Sequence, residues 1–227
     1  MIKNILIKFE EKIVKSFNTL YNSFKHLKKI IQHKYWVFVY CSKCGIIWRG
    51  IKHDLSKFSI TEFFESVKYY KGTSSPIDEC KKINGVSYAW MHHKGRNDHH
   101  YEYWVDNLDN GGTPTRMPYK CAVEMLCDFL AASRAYNGKS FTYEGTLQWW
   151  LNKLNSNPAI HYSTQYFISS ILFDLFGEEL RNVDDIIKMV LCPSNLRIQY
   201  IHSTHITEEQ NKGFIELIKF QIKRKIV

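Results

Sequence analysis

The chain has 227 residues, of which 44% are hydrophobic and 15% aromatic. This composition excludes an intrinsically disordered protein, and 11 glycines with 5 prolines exclude collagen-like and low-complexity classes. Lysine and arginine number 31 against 22 acidic residues, and the resulting charge of +9 favours anionic partners such as nucleotides, nucleic acid or acidic lipid. The length suits one domain, or one domain with an additional arm.

Cysteine usage and hydropathy indicate the compartment. Six cysteines are too few for a disulfide scaffold in a chain of this length, and no signal peptide opens the sequence. The longest apolar stretches, residues 35–40 and 168–176, are far shorter than the roughly 20 residues of a membrane-spanning helix. We therefore expect a cytoplasmic protein without a transmembrane segment. Cys41 and Cys44 have the spacing of half a zinc site, but without a second pair we expect buried cysteines.

Residues 1–31 predict a long amphipathic helix, because apolar residues recur there every three to four positions and the other face is basic. The apolar positions are Ile2, Leu6, Phe9, Ile13, Phe17, Leu20, Phe24, Leu27 and Ile31. We expect this apolar face to pack against the core of the domain formed by residues 32–227. Docking on an anionic membrane and homo-oligomer formation through this helix are the alternatives.

The sequence after residue 31 also predicts helices. Ser59 and Glu62 form a capping box that predicts a helix over residues 60–70, while glycines, serines and proline predict a loop over residues 72–85. Further helices are predicted at residues 86–108, 118–136, 142–154, 163–176, 184–191 and 207–225, with a loop at 109–115. No alternating strand pattern is long enough for a sheet, so the predicted fold class is all-α.

Histidines cluster in one part of the chain. Six of the ten lie between residues 33 and 100, namely His33, His53, His92, His93, His99 and His100. Imidazole nitrogens and carboxylate oxygens suit manganese, iron, nickel, cobalt or zinc, so we predict a site for one or two divalent transition-metal ions. Helical neighbours point about 100° apart, so one ion would use one residue of each adjacent pair, and we select His93 and His99.

The order of these residues carries a resemblance. His33 is followed by the adjacent pair His53-Asp54, then by the later histidines, and then by Asp128 in a predicted helix. This order resembles the HD-domain phosphohydrolase superfamily, which is named for its His-Asp pair and implies a helical metal-binding bundle. The string from His53 to Lys57 also resembles the His-Asp-x-Gly-Lys variant of cyclic-dinucleotide phosphodiesterases, with Ser56 at the glycine position.

A narrower resemblance covers about residues 30–165. The strings that begin at His53, Trp90 and Met117 look like a bacterial and phage family of unknown function. This resemblance implies no activity.

The resemblance to two-metal HD enzymes implies roles for individual residues. Asp54 would bridge two ions and take part in catalysis with Lys57. The first ion would be held by His33, His53 and Asp128, and the second by His93, His99 and one of His92 or His100. The substrate phosphate would meet Lys57, Lys94, Arg96 and His100. Glu124 and His92 would orient the ligands.

These features together predict a metal-dependent phosphohydrolase. It would use a metal-activated water against a nucleotide, cyclic nucleotide or similar small phosphoester, as a phosphodiesterase or phosphomonoesterase. A non-catalytic metal-binding or nucleotide-sensing module is the main alternative. In a third hypothesis the basic N-terminal helix docks on membrane or nucleic acid, and in a fourth the metal site belongs to an oxygenase.

Overall fold

The computed structural model describes residues 2–181 and 188–225, which are mostly α-helical, so the predicted all-α class is confirmed. The helices are α1 (Ile2–Lys43), α2 (Ile47–Lys52), α3 (Ile60–Tyr69), α4 (Pro76–Asn84), α5 (Tyr88–Lys94), α6 (Tyr119–Asn137), α7 (Tyr143–Asn155), α8 (Tyr162–Arg181), α9 (Pro193–Ser203) and α10 (Glu208–Lys225). Short 3₁₀ helices occupy Leu55–Phe58, Tyr101–Trp104, Leu108–Asn110 and Gly138–Ser140. Two-residue strands, β1 (Val105–Asp106) and β2 (Thr113–Pro114), pair antiparallel.

The chain divides into two compact units. The first unit comprises Met1–His33 and Asp54–Arg96, and the second comprises Lys34–His53 and Asn97–Val227. Helix α1 continues past residue 31 to Lys43. The predicted division into residues 1–31 and 32–227 stays a prediction.

Helices α3 and α4 in the first unit differ in how well the sequence predicts them. Helix α3 begins as expected, because Ser59 Oγ accepts a hydrogen bond from the backbone N–H of Glu62. The predicted loop at residues 72–85 is wrong, since α4 lies inside it. Pro76 suits the first turn of α4, and Gly85, with φ of 76°, ends it in the left-handed conformation.

The single helix predicted at residues 86–108 is also wrong. Only α5 is α-helical there, and it is followed by a turn, a 3₁₀ helix and strand β1. Two caps begin α5: Ser87 Oγ accepts the backbone N–H of Trp90 at 3.0 Å, and the Glu65 carboxylate accepts those of Tyr88 and Ala89. The glutamate also stabilises the positive end of the helix dipole. Helix α5 packs against α3.

The second unit contains a large apolar core around α6. Leu126, Leu130 and Ala131 on α6 have no exposed surface, and α7 and α8 pack on each other beside them. Trp150 of α7 is fully buried, and its indole N–H donates to Ser169 Oγ of α8 at 2.9 Å. Helix α9, which begins with Pro193, was not predicted. Of the helix predicted at residues 184–191, residues 184–187 lie outside the described residues, while residues 188–190 are helical.

Five residues of the predicted apolar face of α1 are exposed, contrary to the expected packing, while Leu27 is half-buried and the side chains of Ile2, Leu6 and Phe9 lie outside the described part of the chain. We call these five exposed residues the α1 strip: Ile13, Phe17, Leu20, Phe24 and Ile31. Phe24 is 72% exposed and Leu20 69%. Among the described side chains of α1 from Ile13 to His33, those that are buried are His26, Ile30 and His33, on another side of the helix. None of the described helices combines the length and apolar character needed to cross a bilayer.

We expect His26 to make the first unit sensitive to acid. Burial, with a contribution from Lys57, lowers the pKa of His26 from 6.5 to about 4. Its ring contacts Phe63 and Tyr70, and its Nδ1 has no hydrogen-bond partner among the described residues. Between pH 6.5 and 4 the unfolded chain therefore binds a proton that the folded chain does not, so stability falls as the pH falls.

His26→Phe should remove up to about 3 kcal/mol of this pH dependence. The free energy of unfolding, measured by urea titration across the same pH range, tests it. The exposed His205, changed to Gln, serves as the control. Equal pH slopes for the wild type and His26→Phe would rule out the assignment.

Candidate metal centre

Predicted ligands meet in a buried cluster of the second unit. His53, His99 and Glu124 each offer one ligand atom within 4.8 Å of the others, and all three side chains are buried. Asp128 Oδ1 lies 3.6 Å from His53 Nε2. The cluster therefore combines three predicted metal ligands with Glu124, which was predicted to orient them.

Local structure positions His53 at the end of α2. Lys34 of α1 donates hydrogen bonds of 2.7 Å to the backbone oxygens of Ile51 and His53, which satisfies carbonyls at the helix end. Helix α2 approaches α1 closely at Gly50, where a Cβ atom would lie 2.7 Å from Cys41 Cβ. A larger residue at position 50 would move α2, and His53 with it.

His99 lies in the turn that follows α5. The Trp104 indole donates a hydrogen bond of 2.6 Å to the backbone oxygen of Asp98, next to His99. Trp104 is itself held through its backbone oxygen, which accepts from the Thr115 N–H at 2.7 Å. The Asp98 carboxylate pairs with Arg49 of α2. Tertiary contacts from three segments therefore hold the turn.

Glu124 is the centre of hydrogen bonding in this cluster. Its Oε1 lies 2.8 Å from His53 Nδ1 and 3.3 Å from His99 Nδ1, and its Oε2 pairs with Arg49. Burial alone would raise the pKa of Glu124, but the hydrogen bonds from His53 and His99 hold it below its ordinary range. Glu124 is therefore ionised and accepts from both rings.

This arrangement fixes the tautomer of both rings. When Nδ1–H of His53 and His99 donates to Glu124, Nε2 is the lone-pair nitrogen. The 3.6 Å between His53 Nε2 and Asp128 Oδ1 is too long for a hydrogen bond. Two donors about 2.1 Å from one tetrahedral ion would lie roughly 3.4 Å apart, so the separation fits a shared ion. The donor set thus suits a borderline divalent metal.

The first unit repeats the pattern around His93. His93 is 1% exposed, and its Nδ1 lies 2.7 Å from Glu62 Oε2 while its Nε2 lies 3.2 Å from Asp54 Oδ1. Ligand atoms of His33 and Asp54 are also within 4.8 Å of each other. Burial would lower the pKa of His93, but Asp54 and Glu62 raise it overall. Metal binding at His93 requires the neutral ring, so this raised pKa opposes metal binding and makes it depend on pH.

Asp54 has an unusual backbone. Its φ of 52° and ψ of 31° lie in the left-handed region, which Asp tolerates better than most residues but which still stores strain. Lys57, three residues later, places its Nζ 2.6 Å from Asp54 Oδ2. Lys57 therefore neutralises the carboxylate that was predicted to bridge two ions.

The other predicted site residues differ in exposure and in the groups that they contact. His92 Nδ1 lies 2.7 Å from Glu62 Oε1, so His92 and His93 share one carboxylate. The ring of His100 is 4.2 Å from that of His99. Arg96 is exposed and donates to the backbone oxygen of His92 at 3.2 Å, while Lys94 is half-buried at the end of α5.

The substrate roles of Lys57, Lys94, Arg96 and His100 stay predictions. The assignment of ligands from both units to one ion also stays a prediction.

Sequence reasoning missed Arg49 as a partner of Glu124 and used Glu62 only as a helix cap. Glu62 is 30 residues from His92, and Arg49 is 75 residues from Glu124, so no local spacing indicates either contact.

The expected buried cysteines are confirmed for Cys41 and Cys44, and Cys44 Sγ lies 3.6 Å from Cys127 Sγ in the core.

Comparison with known proteins places the chain in a family. Residues 22–174 match the DUF5662 family, a family of unknown function. The chain belongs to this family. The DUF5662 match covers every predicted ligand from His33 to Asp128. No curated protein and no solved structure matches the chain.

Glu124→Gln should weaken metal binding about 10- to 100-fold, because the amide cannot accept from both rings and pair with Arg49 as the carboxylate does. Competition with a chelating dye for Zn²⁺ measures this change. Glu216→Gln is the matched control, since the Glu216 side chain is 71% exposed. Equal zinc affinity in Glu124→Gln and the wild type would show that Glu124 does not orient ligands.

Proposed function

We propose that this DUF5662 chain is a metal-dependent phosphohydrolase that acts on a nucleotide or another small phosphoester. One observation carries the proposal: His53 and His93 each have a buried glutamate at Nδ1 and an aspartate near Nε2. Metal-binding histidines commonly donate Nδ1–H to a carboxylate in this way. The resemblance to the HD superfamily supports the choice of phosphoester hydrolysis.

The residues of the second unit would hold an ion through His53 Nε2 and Asp128 Oδ1, which lie 3.6 Å apart. In the first unit, Asp54, His93 and His33 are the residues that could bind an ion. A bound divalent ion would lower the pKa of water to near neutral and offset charge on the phosphoryl group. Because the clusters are buried, these electrostatic interactions are stronger than they would be in bulk water.

The chain's own groups would do the remaining work. Glu124 and Glu62 keep protons on Nδ1 of the histidines, so the opposite nitrogen of each ring is the one that would bind an ion. The position of Lys57 favours a phosphate substrate. Its ammonium group lies beside Asp54 and could neutralise an oxygen of a phosphate that binds there. If Lys57 moved from Asp54 to the phosphate, the Asp54 carboxylate oxygen that it contacts could then bind a metal ion.

Metal content is the primary test. Purified wild-type protein should retain at least one divalent ion per chain by elemental analysis, and His53→Ala and Asp54→Ala should reduce that content. His205→Ala, at an exposed position, should not. If wild type stays metal-free after loading with manganese, nickel or zinc, the proposal fails.

Lys57→Met should lower kcat/KM for a phosphoester by about 100-fold while leaving metal content unchanged, because it removes a charge aimed at the phosphate. A panel of nitrophenyl phosphate mono- and diesters with manganese gives the measurement. Lys139→Met, at an exposed position, is the control. Loss of metal in Lys57→Met would instead make Lys57 a support for Asp54. A metal-loaded wild type that hydrolyses no phosphoester would favour the non-catalytic module.

A further inference from the structure

The exposed apolar face of α1 is wider than a helix-pairing seam. Val14 and Tyr21 are also exposed, at 57% and 59%. At about 100° per residue, the α1 strip with these two residues spans roughly 120° of the helix circumference. A coiled-coil seam is a narrower stripe, whereas a helix that lies on a bilayer presents a broad apolar face.

The charge of this segment argues against a second copy as its partner. Between Ile13 and His33 the sequence has four lysines and no acidic residue. Two copies packed along this face would bring lysines together without opposite charges to pair with them. An anionic surface has the complementary charge.

A basic cavity of about 350 Å³ lies beside the strip in the first unit. Its lining includes Lys25, Lys28, Lys29 and Lys71 with Tyr21 and Tyr70, and the described lining residues include no carboxylate. Lys71 also pairs with Glu79 at 2.6 Å. Lys28 follows Phe24 by one helical turn, and Tyr21 belongs to both features, so the cavity borders the apolar face.

We propose that the first unit docks on a bilayer surface that carries anionic phospholipid. The α1 strip enters the boundary between headgroups and acyl chains, and the lysine cavity receives a headgroup phosphate. The helix lies in the plane of the interface, where lysine ammonium groups remain in water while apolar side chains are buried. This inference is independent of the proposed function.

Co-sedimentation of the full chain with vesicles tests the proposal. Wild type should sediment with vesicles that contain phosphatidylglycerol and not with pure phosphatidylcholine, and raising the salt concentration should weaken binding. Lys25→Gln/Lys28→Gln should weaken it about 25-fold, at about fivefold per lysine. Phe17→Ser/Phe24→Ser should abolish sedimentation, and both variants should stay folded because the changed side chains are exposed.

The controls are Leu108→Ser and Lys212→Gln. Both side chains are exposed in the second unit, so neither substitution should affect sedimentation. Equal sedimentation with both vesicle types, or none with either, would overturn the proposal. Pyrophosphate binding that requires Lys25 and Lys28, without vesicle binding, would assign the cavity to soluble phosphates instead. The wild type could instead be a dimer that does not bind vesicles. If Phe17→Ser/Phe24→Ser then makes it monomeric, the α1 strip packs against a second copy of the chain.

Discussion

Hydrogen bonds from histidine rings to buried carboxylates are the interactions on which the candidate chemistry depends. Glu124 is 3% exposed and Glu62 2%, and a carboxylate removed from water is costly unless its oxygens are paired. Glu124 meets this requirement through His53, His99 and Arg49, and Glu62 through His92 and His93. Loss of one partner would leave the other charges buried, at a cost of about 3–5 kcal/mol. The same contacts that stabilise the carboxylates therefore orient the imidazoles.

The helices that the sequence predicts best have local start or stop signals. Ser59 marks the beginning of α3, and its Oγ caps the helix as predicted, but the Glu62 carboxylate contacts histidines instead of completing the capping box. Helix α4 is not predicted, because its flanking glycines and Pro76 are also typical of loops. Proline is equally compatible with the first turn of a helix, and only the following Asp78 and Glu79 distinguish the two cases.

The candidate site could be predicted from the sequence only in part. Histidine and aspartate are chemically distinctive, so His53, His99 and Asp128 could be selected without knowing the fold. Of the residues that orient them, Glu124 could be selected because it lies one helical turn before Asp128, but the sequence does not indicate its partner Arg49. Arg49 and Glu124 meet only after α2 and α6 pack, and arginine and glutamate are common surface residues whose type alone indicates no site. Sequence identifies donors of unusual chemistry more readily than it identifies their supports.

Helix α1 shows a different limit of hydrophobic periodicity. Spacing of apolar residues predicts that a helix has an apolar face, but it does not say what covers that face. In the first unit the buried side chains of α1 include His26 and His33, while Phe17, Leu20 and Phe24 stay in water. Full burial of such side chains is worth about 1.5–3 kcal/mol each, so their exposure forgoes several kcal/mol of stability. An external apolar environment would recover that free energy, and the neighbouring lysines favour one with an anionic boundary.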